Sequence, residues 1–256
     1  MVQPNPTGTL PDAQQVGNAD VEWDRFDSKA YFDYNYGSLR PDDAAIIKIV
    51  ADFFATATRG NWRGRAIDVG TGANLYPALT MLPYCSDVTL FERAHSNREW
   101  LKHELIEPSK SWLEFWNAVA DDRTPYTPIG DPLDLLHQRA RVRRGNVFTL
   151  QPGQYDIGTM FFVAESITTR TSEFRRAVGR FVDALRPGSP FAAAFMRDSS
   201  GYVVGDQLFP ACSIGNEEAS DALAPMARNV EILDVASSDL REGYCGMMVA
   251  TGFKKR

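Results

Sequence analysis

Cysteine and histidine are scarce in this chain of 256 residues, with three of each. Cys85, Cys212 and Cys245 are odd in number and scattered, with no Cys-x-x-Cys, and His95, His103 and His137 make no ligand spacing with them. Neither a disulfide framework nor a metal site is predicted, and a reducing cytoplasm is the expected setting. Basic charge is also lacking. Lys and Arg total 27 against 33 Asp and Glu, a net charge of −6, which argues against a nucleic-acid partner needing a basic face. Long apolar runs are absent: stretches such as residues 160–164 fall far short of the roughly 20 residues a bilayer requires. The first residues have neither the basic region nor the apolar core of a signal peptide. No repeat of fixed period is present. At 44% apolar and 23% charged residues the composition is that of an ordinary globular protein. A monomer is expected.

Residues 65–80 organise the rest. Ala66, Ile67, Asp68 and Val69 read as a buried parallel strand. Gly70, Thr71 and Gly72 follow at once, then Asn74 as an N-cap and a helical run to about Leu82. Strand, glycine turn and helix start together point backbone N–H groups at a ligand beyond the carboxyl end of a sheet.

Residues 1–20, rich in Pro, Gly, Asn and Gln, read as a disordered tail. Residues 21–60 read as an N-terminal lid, with Tyr31, Tyr34 and Tyr36 on a short helix capped by Asp27 or Ser28, followed by a packing helix. That helix begins at Pro41 and carries Ala45, Ile46, Ile49, Val50 and Phe53 on one stripe. Residues 61–256 then alternate strand and helix. Strands are predicted at 65–69, 87–92, 140–147, 155–162 and 190–196, closing with a pair at 230–235 and 244–250. Residues 107–140 interrupt this as an insertion, helical with a loop or else disordered. The predicted fold is α/β: a doubly wound, Rossmann-like, seven-stranded sheet, mostly parallel with the last strand antiparallel.

Three ligands use such a turn. A phosphate loop needs a Lys after its glycines, and none follows Gly72 in the turn. A dinucleotide fold needs a third glycine for close helix–strand packing, and Leu75 stands there. The third is S-adenosylmethionine, whose ribose hydroxyls need a carboxylate past the second strand. Glu92, after strand 87–92, is placed for that role, with Asp68 ahead of the turn.

The run from Ile67 to Leu79, including Tyr76, resembles the first motif of the nicotinamide, phenylethanolamine and indolethylamine N-methyltransferase family. Further patches are similar to that family: Tyr31-Phe-Asp-Tyr-Asn-Tyr36, the segment from Glu92 to Asn97, Glu107-Pro108 with Trp112, Leu185-Arg-Pro-Gly188, and residues 199–209. The resemblance spans roughly residues 26–254. It implies S-adenosylmethionine as methyl donor, S-adenosylhomocysteine as product, and a methyltransferase fold. It implies that Tyr31 and Tyr36 close over the methionine carboxylate and that Gly70, Thr71 and Tyr76 line that end. Glu92 and Asn97 would hold the ribose, and Asn146 with Val147 the adenine, Asn146 standing where the family has Asp.

Methyl transfer from a sulfonium is an in-line displacement, and an amine must shed its proton before it attacks. The resemblance assigns an acidic role in the acceptor pocket to Glu165, after the fourth strand, and to Glu242, before the last; both also read as surface carboxylates. It sets Tyr202 beside the acceptor ring. Phe195 and Ala211 stand where nicotinamide-binding members carry polar groups, so a carboxamide acceptor is disfavoured. Phe161, Phe195, Tyr202, Trp112 and Trp116 suggest an apolar or aromatic acceptor, or equally a core. The expected function is methylation of a small molecule, on an amine or aromatic nitrogen and not nicotinamide. An O-methyltransferase and an inactive binding module are the alternatives.

Overall fold

The structure, a computed structural model, describes residues 15–58, 63–235 and 245–256. The central element is a seven-stranded sheet in the order β3-β2-β1-β4-β5-β9-β8. Its strands are β1 (Gly64–Val69), β2 (Cys85–Glu92), β3 (Ala140–Arg144), β4 (Ile157–Phe161), β5 (Pro190–Met196), β8 (Ala227–Val235) and β9 (Met247–Lys254). Only β9 runs against its neighbours, pairing antiparallel with both β5 and β8. Strand order reverses between β1 and β4, so a crevice opens past their carboxyl ends. β1, β4 and β5 are almost wholly buried because helices cover both faces.

One face is covered by α2 (Pro41–Ala57), α3 (Tyr76–Met81) and α5 (Trp112–Ala120), the other by α7 (Thr171–Ala184) and α8 (Asn216–Leu223). α2 buries Ile46, Ile47, Val50, Ala51 and Phe54. The apolar stripe is thus rotated about one residue from the predicted one, leaving Ala45, Ile49 and Phe53 at its margin. α7 turns Phe174, Ala177, Val178, Phe181 and Val182 inward at helical spacing.

The insertion takes the ordered option. It forms α5 and α6 (Pro132–Arg139), following α4 (His95–Ile106). Trp112 is fully buried and its Nε1 donates to Glu104 Oε2 at 2.8 Å, while Tyr126 O–H donates to Thr80 O at 2.7 Å. The lid helix α1 (Ser28–Asn35) is capped by Asp27, which accepts from Ala30 N–H at 2.9 Å. A short hairpin, β6 (Tyr202–Val204) with β7 (Gln207–Phe209), meets the lid through Phe26 and Phe209, whose ring centroids are 5.2 Å apart.

The expected tail differs from the structure at its end. Residues 15–20 are fixed at the carboxyl end of the sheet, Asn18 being buried, because their polar groups find partners on α7 and just past β2 and β3. The remainder of that predicted tail, residues 1–14, lies outside the described residues, as do 59–62 and 236–244.

Candidate active site

The glycine turn follows β1 directly. Gly70 and Gly72 have φ of +67° and +60°, conformations costly for side chains with a Cβ. A Cβ at Gly70 would lie 2.6 Å from Val163, so the turn packs against the segment after β4. Gly70 N–H donates to Phe91 O at 2.7 Å, tying the turn to β2. Gly72 N–H donates to Glu92 Oε2 at 2.8 Å, and Ala94 N–H donates to Oε1 at 2.7 Å. Burial pushes the Glu92 carboxyl above its ordinary range, while these N–H donors pull it back.

Asp68 lies beneath the turn. Its Oδ1 accepts from Thr159 Oγ1 at 2.7 Å and its Oδ2 has no hydrogen-bond partner, and burial pushes its pKa up to about 7. It braces the turn and does not reach the cavity wall.

A crevice of about 830 Å³, open space at its mouth included, lies between lid and sheet. Gly70, Thr71, Gly72, Glu92 and Asn97 line one region of it, and Asn146 with Val147 another. Tyr31 and Tyr36 of the lid, Phe161 and Tyr202 are also in its wall. Asn97 hydrogen-bonds Glu92 and accepts from Ser28 Oγ at 2.6 Å, joining lid and carboxylate. Tyr76 sits one layer back, fully buried, stacked on Phe115 at 5.5 Å and edge-on to Tyr36 at 6.0 Å.

Phe195 and Ala211 are off the wall. Side chains alternate along β5, so Phe195 points with Phe191 towards α7 and meets Phe174 at 5.8 Å. Trp112 and Trp116 are core residues of the insertion. Glu242 lies outside the described residues. Glu165 is fully buried after β4. Its Oε1 accepts from Met196 N–H at 2.9 Å, Oε2 has no hydrogen-bond partner, and burial pushes its pKa up to about 7. It does not itself line the cavity, but its chain neighbour Ser166 and its partner Met196 both do.

Several wall residues escaped sequence reasoning. Trp23 and Phe26 extend the aromatic lid, with Trp23 stacked on Phe209 at 5.5 Å. Phe162 adopts φ of +58°, an outlier for a bulky residue, held by its N–H donating to Ala194 O at 2.7 Å. Asn18 and Arg93 close the side near Asn146. A left-handed Phe leaves no mark in composition, and Asn18 sits in a stretch that reads as tail. Among the described residues no cluster of His, Cys, Asp and Glu could hold a metal ion, and no helix is long and apolar enough to cross a membrane.

Chemically, the site offers backbone donors and a buried carboxylate in one region and aromatic faces in another. Aromatic faces attract cations. The NNMT/PNMT/TEMT family matches residues 14–252. Mouse phenylethanolamine N-methyltransferase is 25% identical over 233 residues, covering 83% of this chain and 77% of the relative. The bovine enzyme of that name is 26% identical, covering 86% and 84%. Among solved structures, the N-methyltransferase NodS from Bradyrhizobium japonicum, in complex with S-adenosylhomocysteine, shares the fold with a TM-score of 0.53. Its identity is 11% and coverage is 91% of this chain and 95% of that one.

Proposed function

We propose, on the premise that this chain belongs to the NNMT/PNMT/TEMT family and is an S-adenosylmethionine-dependent methyltransferase, that its acceptor is a small amine on an aromatic or apolar body. S-adenosylmethionine is the methyl donor, and the family implies a small-molecule acceptor. The residues present fit the donor. Glu92 is a carboxylate in the cavity wall, fixed by the turn's own Gly72 N–H and placed to accept from a vicinal diol, and the cradle at Gly70 and Gly72 admits no side chain of its own. In this reading Glu92 and Asn97 orient the ribose, Asn146 and Val147 border the purine, and Tyr31, Tyr36, Gly70 and Thr71 enclose the amino-acid end. Asp68 and Tyr76 hold the turn and the lid from behind. The donor supplies an electrophilic methyl, and the protein supplies alignment and exclusion of water.

The observation that carries the amine reading is Glu165, an unpaired carboxyl oxygen buried behind the part of the wall formed by Ser166 and Met196. A carboxyl whose pKa is pushed up to about 7 can take the proton an ammonium acceptor must lose, with Ser166 or one water between them. Phe161, Phe162 and Tyr202 suit an aromatic or apolar body. Because Phe195 and Ala211 lie off the wall, they give no ground against a carboxamide such as nicotinamide, and the aromatic lining would suit its ring as well. The choice of a basic amine rests on Glu165 alone. Calorimetry with S-adenosylhomocysteine tests the donor site, with binding expected at tens of micromolar or tighter. A metabolite-extract screen with labelled methyl donor tests the acceptor. Label in basic amines is expected; label chiefly in nicotinamide or in O-methyl products would overturn the amine reading.

A further inference from the structure

We infer that Asn18 is a positioning residue for methyl-donor binding, a peg from the N-terminal strap that sets the groups bordering the donor's purine. The inference rests on the reading of the cavity given above. Asn18 is 3% exposed and lines the cavity although it lies in a polar stretch far from any motif. Its backbone N–H donates to Glu173 Oε2 at 2.8 Å. Its Oδ1 accepts from Arg93 Nη1 at 2.6 Å and from Trp23 Nε1 at 2.9 Å. Its backbone oxygen accepts from the same two groups at 2.7 and 3.1 Å. Its Nδ2 donates to Asn146 Oδ1 at 3.2 Å.

The orientation of both amides follows from their partners. Arg and Trp side chains only donate, so the Asn18 oxygen must face Arg93 and Trp23, and its amino group must face Asn146. Asn146 Oδ1 also accepts from Phe148 N–H at 3.1 Å, which fixes that oxygen in turn. One buried side chain therefore joins the segments after β2 and after β3 to the lid. Arg93 is surrounded by Asp24, Glu92 and Glu173, so its charge is balanced there and the guanidinium is available to hold the strap. Val16 anchors the strap beyond Asn18, its N–H donating to Thr169 Oγ1 at 2.8 Å and its oxygen accepting from Thr169 N–H at 2.9 Å. With the Asn146 oxygen engaged twice, its amino group is what remains to face a purine, and a purine ring nitrogen is a suitable acceptor.

The test is S-adenosylhomocysteine affinity, by calorimetry, for the full chain and for Asn18→Ala, Asn18→Asp and Glu92→Ala. Asn18→Ala removes the bonds to Arg93 and Trp23 made by the side chain and the peg on Asn146, and is expected to weaken binding about tenfold or more. The circular dichroism spectrum of ligand-free Asn18→Ala should match the parent's, which general loss of structure would not allow. Asn18→Asp keeps both acceptor contacts but cannot donate to Asn146, and an intermediate loss is expected. It also serves as the deciding variant should Asn18→Ala not fold. If Glu92→Ala destroys binding while both Asn18 variants match the parent within about twofold, the inference is overturned and the cavity reading stands. If none of the three changes affinity, the cavity reading fails and the inference with it.

Discussion

Glu165 and Asp68 share one physical predicament, a carboxyl buried among apolar residues with one oxygen hydrogen-bonded and the other bare. Burial pushes both to about 7, from ordinary values of 4.5 and 3.8. Raised folded-state values mean that the native protein binds more protons than the unfolded chain between about pH 4 and 7. Their stabilising contribution is complete below that window and is lost as pH rises through about 7. The cofactor-free protein should therefore lose up to about 1.4 kcal/mol per pH unit for each group across the window. Denaturant titrations at several pH values should show this slope, reduced in Asp68→Asn. The two groups part company in catalysis. Ser166 and Met196 carry Glu165 to the wall, whereas Asp68 lies under the turn. Glu165→Gln keeps an acceptor for Met196 N–H, so the fold should survive. Its kcat/KM should fall by about 10²-fold, and the rise in rate through about pH 7 should disappear. A variant that keeps both rate and profile would remove Glu165 from proton transfer.

At the scale of elements, what could be read from sequence depended on whether a signal was local. The strand–turn–helix around Gly70 and Gly72, and Glu92 at the end of β2, are legible because one backbone geometry demands those residues at that spacing. Phe195 shows the opposite case. An aromatic near a strand end looks the same on either face, and only the alternation of Phe191, Ala193 and Phe195 assigns it to the α7 side. Phe162 and Asn18 are set by contacts to distant segments, Ala194 for one and Arg93 with Asn146 for the other, which no window of sequence contains. The glycine turn permits a sharp prediction of its own. Gly70→Ala forces a side chain into a left-handed conformation and onto Val163. It should cost of order 2–4 kcal/mol in stability. Because the displaced backbone carries the Gly72 N–H to Glu92, donor binding should be lost even below the melting temperature. Gly153→Ala, also at positive φ but with open space around it, is the control. It should cost stability alone and leave donor affinity unchanged.

Across the whole molecule, the cavity has two kinds of wall with different backing. The turn, Glu92 and the strand ends rest on the buried sheet. The strap and lid, residues 15–36, are held by side-chain contacts and not by strand pairing: Phe26 on Phe209, Ser28 on Asn97, Tyr36 on Tyr76 and Phe115, and the bonds of Asn18. The insertion stiffens one side of the lid, since Trp112 and Phe115 lie under Phe32 and Tyr36. A ligand between the two walls must be enclosed mainly by the weaker one, and the elements that open are expected to be those with least buried support. Donor product should then act on the molecule unevenly. At a hundredfold excess over its Kd it should stabilise the fold by about 2.7 kcal/mol, a rise in Tm of roughly 5–10 °C for a chain of this size. In hydrogen exchange, amides of the strap and α1 should gain protection first and most, whereas β4 and β5, already protected by burial, should change little. Equal protection everywhere would mean that binding reports only global stability, and the division into a fixed sheet wall and a closing lid would have to be given up.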